Sequence, residues 1–325
     1  MSKKIKQLFR LLGIAAFSIT LAGCSNSITQ PVNSNHNQIS KAQSANNNDE
    51  STVQDSPYGG ITNEQKKILA TRDYQSGKSA IIQVNNGKST LNPQSWKINK
   101  VIYSDLDQLN RTSSPNTGFL EKRNLSNSAL RVRQTVAPTG WHYNHGENQI
   151  YNRGHMIAYS VSAGISQDGR YDPNSTSGDQ NNPKNLFTQS AFSNQKLQTI
   201  YEDKVRNAIE QNKKVIYQVT PIFRGNELMA RGVNLQAIST DGSLNFNVYI
   251  FNVQPSIIFN YANGSNHKDS NMKVPTPLNA PTFNNNSRSS NQRSNTRSYP
   301  SNKSFKHWAY RRTYNQTYNN REAHY

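Results

Sequence analysis

The sequence predicts an α+β domain organised around a central antiparallel sheet, and three observations carry that prediction. Residues 214–219, 233–238 and 244–251 alternate in polarity or stay apolar, as strands of a half-covered sheet do. Leu197, Ile200, Tyr201, Lys204, Val205, Ala208 and Ile209 recur at helical spacing. Strand-like runs lie both upstream and downstream of that helix, without a repeat of fixed period, which separates the pattern from alternating β-α units.

In chain order, Lys3, Lys4, Lys6 and Arg10 precede an apolar run from Leu11 to Ala22 that ends in Leu21-Ala22-Gly23-Cys24. This order of charge, apolar core and small residues resembles a bacterial lipoprotein signal peptide over residues 1–23. Cys24 is then the lipidated first residue of an extracytoplasmic protein held on the membrane. The run is too short for a comfortable membrane span; the alternative is an uncleaved anchor or a plain secretion signal. With a single cysteine, an exported domain folds without disulfides. Residues 24–57 are Asn, Ser, Gln and Thr with almost no large apolar groups, and read as a flexible tether.

A domain over residues 58–262 follows. Thr62 or Asn63 caps a short helix running through Leu69. Residues 80–84 and 89–91 flank Asn85-Asn86-Gly87-Lys88 and read as a hairpin with an Asn-Gly turn. Residues 101–103 read as a strand, and Pro115-Asn116-Thr117-Gly118 as a loop. Residues 129–136 alternate with period two, a strand with arginines on its wet face. Pro138 to Trp141 form a turn. His142 and His145 fall in the next loop without metal-ligand spacing and read as solvated. Asp168, Asp172 and Asp179 lie in a Gly/Asn-rich loop over residues 160–182 that lacks the EF-hand pattern, so a solvated loop is expected there.

Charge sets the partner class. The chain carries 37 Lys and Arg against 19 Asp and Glu, a net +18, and loss of the four cations of the signal leaves +14. Such a balance favours polyanions: nucleic acid, an acidic envelope polymer or anionic lipid. Residues 263–325 hold ten cations, Arg311 and Arg312 among them, against two acids, interleaved with Tyr299, Phe305, Trp308 and further tyrosines. A disordered tail of this kind neutralises phosphates and stacks on bases, and the alternative is a wall-associating or solubilising tail.

The chemistry concentrates in two stretches. Tyr151-Asn152-Arg153-Gly154-His155-Met156 offers an imidazole whose unperturbed pKa of about 6.5 suits proton abstraction near neutrality. About thirty residues on, Asn185 to Gln195 supply amide oxygens, neutral donors that leave Mg²⁺ its full pull on a phosphodiester. Together the Asn-Arg-Gly-His run, the Asn-x3-Gln-x4-Asn segment and Tyr201-Glu202-Asp203-Lys204-Val205-Arg206 resemble the bacterial DNA/RNA non-specific endonucleases. Those belong to the His-Me finger (ββα-metal) superfamily, and the likeness is to streptococcal-type DNA-entry and secreted nucleases over roughly residues 58–262. The resemblance implies His155 as general base, Asn194 as the protein ligand of Mg²⁺ (Mn²⁺ as the alternative), and Asn185 and Glu202 holding its water shell and orienting Asn194. It also implies Arg153 and Arg206 as phosphate contacts, DNA or RNA as substrate, and a 5′ phosphate product. Many relatives have Asp where this chain has Asn152. Glu202 and Arg206, four apart, share a helix face and read otherwise as a surface ion pair. No obligate protein partner is called for. The rival reading is a non-catalytic lipoprotein that binds DNA or acidic envelope polymer through its basic surface, which needs the arginines and lysines but not the set His155, Asn185, Asn194 and Glu202.

Overall fold

The computed structural model describes residues 56–126, 132–146, 149–175, 178 and 180–282. Cys24, the tether up to residue 55, Asp179, and Arg311 and Arg312 of the tail lie outside them. The strands are β1 (Ile81–Gln83), β2 (Lys100–Ile102), β3 (Asn116–Leu120), β4 (Tyr151–His155), β5 (Leu186–Ser190), β6 (Val215–Ile222), β7 (Gly232–Ser239), β8 (Asn245–Phe251), β9 (Ile257–Phe259) and β10 (Asn266–Lys268). The α-helices are α1 (Asn63–Ala70) and α2 (Thr199–Glu210). Six strands make one antiparallel sheet in the order β1-β8-β7-β6-β3-β2, while β4 and β5 form a separate two-stranded ladder that runs into α2. The architecture is the α+β class with a central antiparallel sheet.

The sheet is buried on both faces, by different chemistry. On one face Val215, Tyr217 and Val219 of β6 join Leu235, Ala237, Phe246 and Val248 beneath Val205, Ala208 and Ile209 of α2, and Tyr201 meets Phe246 at 5.1 Å between ring centroids. This is where the apolar stripe of the helix goes. The other face carries Ile216, Phe119, Leu91 and Ile238 together with a row of amides. Gln218 Oε1 accepts from the Ile61 amide at 3.1 Å, and its Nε2 donates to Thr117 Oγ1 at 3.0 Å. Gln236 Oε1 accepts from the Thr90 amide at 2.9 Å, and Asn234 Nδ2 donates to Asn247 Oδ1 at 2.8 Å. Gly60 has φ +112°, and a Cβ there would lie 2.2 Å from Gln218 Oε1, so only glycine lets the N-terminal strap press onto these amides. That strap leads into α1, whose Thr62 N-cap and Gln65 close a capping box.

Four sequence expectations are corrected. The hairpin over residues 80–91 does not form: Asn85–Gly87 is a tight turn with Asn85 and Asn86 at positive φ, but β1 pairs with β8 and Leu91 bridges Gly59. The Asn-Gly turn is local chemistry, whereas the strand partner is chosen by the core. Residues 132–136 form no strand; they are a strap whose Thr135 and Val136 amides donate to Asn181 Oδ1 at 2.9 and 3.1 Å, and residues 127–131 of that expected strand lie outside the described set. Conversely β3, placed in a loop by its Asn-Thr-Gly composition, is a fully buried strand between β2 and β6. The folded chain also passes residue 262: β10 pairs with β9, the Lys273 carbonyl accepts from the Gly77 amide at 2.8 Å, and Val274 is buried. An exposed, wholly polar edge strand such as Asn266-His267-Lys268 leaves no hydrophobic pattern to read.

Candidate functional site

The ladder of β4 and β5 sets Asn152 opposite Gln189, Arg153 opposite Thr188 and His155 opposite Leu186. Side chains alternate along a strand, so Arg153 and His155 share one face of β4, and Asn152 and Gly154 the other. After β5 the chain enters a π-helical turn, Ser193–Gln198, that opens onto α2. Such turns are rare and cluster at functional sites, and this one carries Asn194.

His155 is half-buried at the end of its strand. Its Nε2 lies 3.0 Å from the Gln180 carbonyl, which only accepts, so Nε2 bears the hydrogen and the lone pair belongs to Nδ1. Gln134 Nε2 donates to the same carbonyl at 3.2 Å and stands 3.2 Å from His155 Nε2. Thus the strap over residues 132–136 fixes the imidazole from one side. The first segment after the histidine is pinned as well: Asn185 is fully buried, and its Oδ1 accepts from the Ile157 amide at 2.8 Å while its Nδ2 donates to the Ile157 carbonyl at 3.0 Å. Both ends of that amide are spent on backbone, so Asn185 shapes the turn after His155 instead of presenting an oxygen beside Asn194.

On the other face of β4 the amides are linked head to tail. Gln149 Nε2 donates to Asn152 Oδ1 at 2.6 Å, Asn152 Nδ2 to Asn194 Oδ1 at 2.9 Å, and Asn194 Nδ2 to Gln189 Oε1 at 2.9 Å. Gln189 Nε2 then donates to Gln198 Oε1 at 3.0 Å, and Gln198 Nε2 to both Glu202 Oε1 at 2.7 Å and the His155 carbonyl at 2.9 Å. Gln189 and Gln198 are fully buried. The glycine of the Arg-Gly-His run has its reason here: a Cβ on Gly154 would lie 2.3 Å from Gln189 Oε1. His155, Asn194 and Glu202 are therefore brought together, through two glutamines. Glu202 also faces β6, where burial first and its charge second push the Tyr217 hydroxyl well above the ordinary phenol range.

The arginines divide. Arg153 donates through Nε to the Val136 carbonyl and lays its guanidinium 4.3 Å from the centre of the Trp141 ring, on the face that carries His155. Arg206 pairs with Glu210 at 3.1 Å and donates to the Ser160 carbonyl at 2.9 Å. Arg206 thus reaches Glu210, one helical turn beyond Glu202, and braces the segment beyond His155. His142 is exposed and bonds to the Asn263 carbonyl at 3.0 Å, apart from the site. Asp168 is held by Ser166 and Arg170, which lower its carboxyl to about 2. Among the described residues no three His, Cys, Asp or Glu side chains cluster as metal ligands. The oxygen donors present, the amide of Asn194 and the carboxylate of Glu202, are of the hard kind that suits Mg²⁺ with most of its waters retained.

Sequence reasoning singled out His155, Asn194 and Glu202 but passed over Gln134, Gln180 and Gln198. Gln198 sits four residues before Glu202 on one helical face, which is the only signal it leaves in the sequence.

Residues 174–241 match the family described as DNA/RNA non-specific endonuclease, a span that holds β5, the π turn, α2, β6 and β7 and begins after His155. Among solved structures the chain is similar to NucA from Streptococcus agalactiae with magnesium ion bound: 28% identity, TM-score 0.52, covering 65% of this chain and 99% of that one. It is likewise similar to the same protein with no metal bound, at 29% identity and TM-score 0.51, covering 63% and 95%.

Proposed function

We propose a mechanism for a chain that carries a DNA/RNA non-specific endonuclease domain and so hydrolyses phosphodiester bonds: His155 is its general base and Asn194 its metal-holding residue. The observation that carries this reading is that two held groups are tied to each other: the amide chain joins the His155 carbonyl through Gln198 and Gln189 to Asn194. His155 is fixed by the Gln180 carbonyl with its lone pair on Nδ1, and Asn194 is fixed through Asn152 and Gln189. His155 Nδ1 takes a proton from the water that attacks phosphorus in line. Arg153, stacked on Trp141, binds a phosphate oxygen. Asn194 Oδ1 would hold Mg²⁺, and Glu202 would hold it through its waters. The ion, when bound, supplies charge against the negative charge that grows on the phosphate and on the departing 3′ oxygen. The structure of NucA with magnesium ion bound supports this choice of ion. No covalent intermediate is needed.

The leader and tail complete the reading. Lipidated Cys24 anchors the domain outside the membrane, and of the ten cations of residues 263–325 the eight beyond Thr282 serve as a capture arm that raises local DNA concentration. Plasmid incubated with the purified chain is cut in Mg²⁺ and left intact in excess EDTA; cutting that persists in EDTA would overturn the metal's part. Truncation after Thr282 is expected to flatten the slope of log affinity against log salt, since each phosphate neutralised contributes about 0.9 to it. It should leave turnover on short oligonucleotides intact. Equal slopes would remove DNA capture from the tail's role.

A further inference from the structure

An asparagine that holds a cation must show it the oxygen and turn the NH₂ away, and the two ends of an amide are nearly identical in size. Some feature of the site has to decide between them, and the chain of amides does so. Its inner end is Gln198, whose NH₂ meets two groups that only accept: the Glu202 carboxylate and the His155 carbonyl. That fixes Gln198 Oε1 toward Gln189, whose NH₂ must then turn to it. Gln189 Oε1 in turn faces Asn194 and demands its NH₂. Asn194 Oδ1 is left pointing outward, with one lone pair taken by Asn152 Nδ2 and the second available to an ion.

We infer that Gln189 and Gln198 are positioning residues that transmit the acceptor-only character of Glu202 and the His155 carbonyl to Asn194, and so select the oxygen of Asn194 for the cation. The inference rests on Asn194 being the metal-holding residue. Flipping Asn194 alone would set its oxygen against Gln189 Oε1, in a position where Gln189 is fully buried and no water substitutes. Gly154 belongs to the same device, because any side chain there would displace the Gln189 amide.

The test uses Mn²⁺ as the probe, with binding to the full chain followed by electron paramagnetic resonance. Three variants are compared: Gln189→Met, Gln198→Met and Asn194→Ala. The methionines keep length and burial but cannot pass on an orientation. They are expected to weaken Mn²⁺ binding by about tenfold to a hundredfold, the usual cost of removing a group that orients a ligand, beside a fall in melting temperature from the buried partners they orphan. A purely structural role would shift melting and leave Mn²⁺ affinity alone. If Gln189→Met binds Mn²⁺ like wild type while Asn194→Ala does not, the relay is wrong and the ligand stands. If Asn194→Ala also binds normally, the ligand assignment itself fails. Should the methionine variants not fold, the wild-type chain decides. The side-chain NH₂ protons of Gln189 and Gln198 are expected to exchange slowly with water by NMR, and exchange at the rate of a free glutamine would overturn the relay.

Discussion

Two amide networks run through this molecule, and they are built for different ends. In the central sheet Gln218, Gln236, Asn234 and Asn247 bond to backbone, hydroxyls and one another, and two of their atoms, Asn234 Oδ1 and Asn247 Nδ2, are buried with no partner. That network is oriented residue by residue: the Ile61 and Thr90 amides, which only donate, and the Val248 carbonyl, which only accepts, each fix one side chain on the spot, so no orientation is passed along it. The network of the hairpin ends on a carboxylate and a carbonyl, and each of its amides is oriented in sequence from that end. One set of side chains glues the N-terminal strap to a sheet; the other converts a charge on α2 into the orientation of a side chain on the π turn. The termini of a polar network, more than its length, decide whether it carries information.

The comparison can be broken at its most consequential point first. His155→Ala removes the proposed base but no link of the amide chain, because the bond to Gln198 uses the backbone carbonyl. Cleavage is expected to fall by about 10²–10⁴ with DNA and Mn²⁺ binding retained, as read from plasmid nicking and a binding titration. Recovery of cutting by added imidazole in His155→Gly would identify the loss as proton transfer. Retained cleavage would sink the assignment.

Gly154→Ala comes next. Its Cβ would strike Gln189 Oε1, so the relay should fail without any change to a polar group. Mn²⁺ affinity is expected to drop about tenfold, while the same substitution at Gly146, where a Cβ meets nothing within 4 Å, alters stability through its positive φ and leaves the affinity untouched. Equal metal binding by the two variants would mean that room for Gln189 is not what Gly154 provides.

The smallest effect tests the sheet network. Gln236→Leu orphans the donors of Ser89 and Thr90, with an expected loss of about 1–3 kcal/mol in unfolding free energy. Denaturant melts would show this, and the metal titration should be unmoved. If Gln236→Leu weakened Mn²⁺ binding as strongly as Gln189→Met, the two networks would not be the separate devices described.

Much of this was readable in advance, for definite reasons. β6, β7 and β8 announce themselves because each carries apolar residues toward α2 over seven or eight positions, and α2 repeats its apolar residues at the period of a helix. β3 hides because Asn116, Thr117 and Gly118 have turn composition, while their burial depends on neighbours far along the chain. Residues 132–136 mislead in the opposite sense, since their alternation belongs to a strap that bonds at Val132, Gln134, Thr135 and Val136 to Gln180 and Asn181 and not to a neighbouring strand. At the site, a histidine between glycine and apolar residues stands out, and an Asn-x3-Gln-x4-Asn pattern directs the eye to Asn194. Gln134 and Gln198 have no charge, no titration and no motif of their own. Their roles exist only once the fold lays the Gln180 carbonyl and Glu202 beside them.

The π turn at Ser193–Gln198 has one further consequence, for how the gene can tolerate length change. A π turn holds one residue more than the α-helical turn it replaces, so removing a single residue within it is the edit that would let α2 extend in regular form toward β5. Such a deletion would relieve an irregularity, yet it would rotate Asn194 by about 100° relative to Glu202, the angle one residue subtends on an α-helix. A frame-preserving deletion scan across the coding sequence should therefore show a gap at these codons among nuclease-positive clones, with the missing members recovered in a screen that selects only for soluble protein.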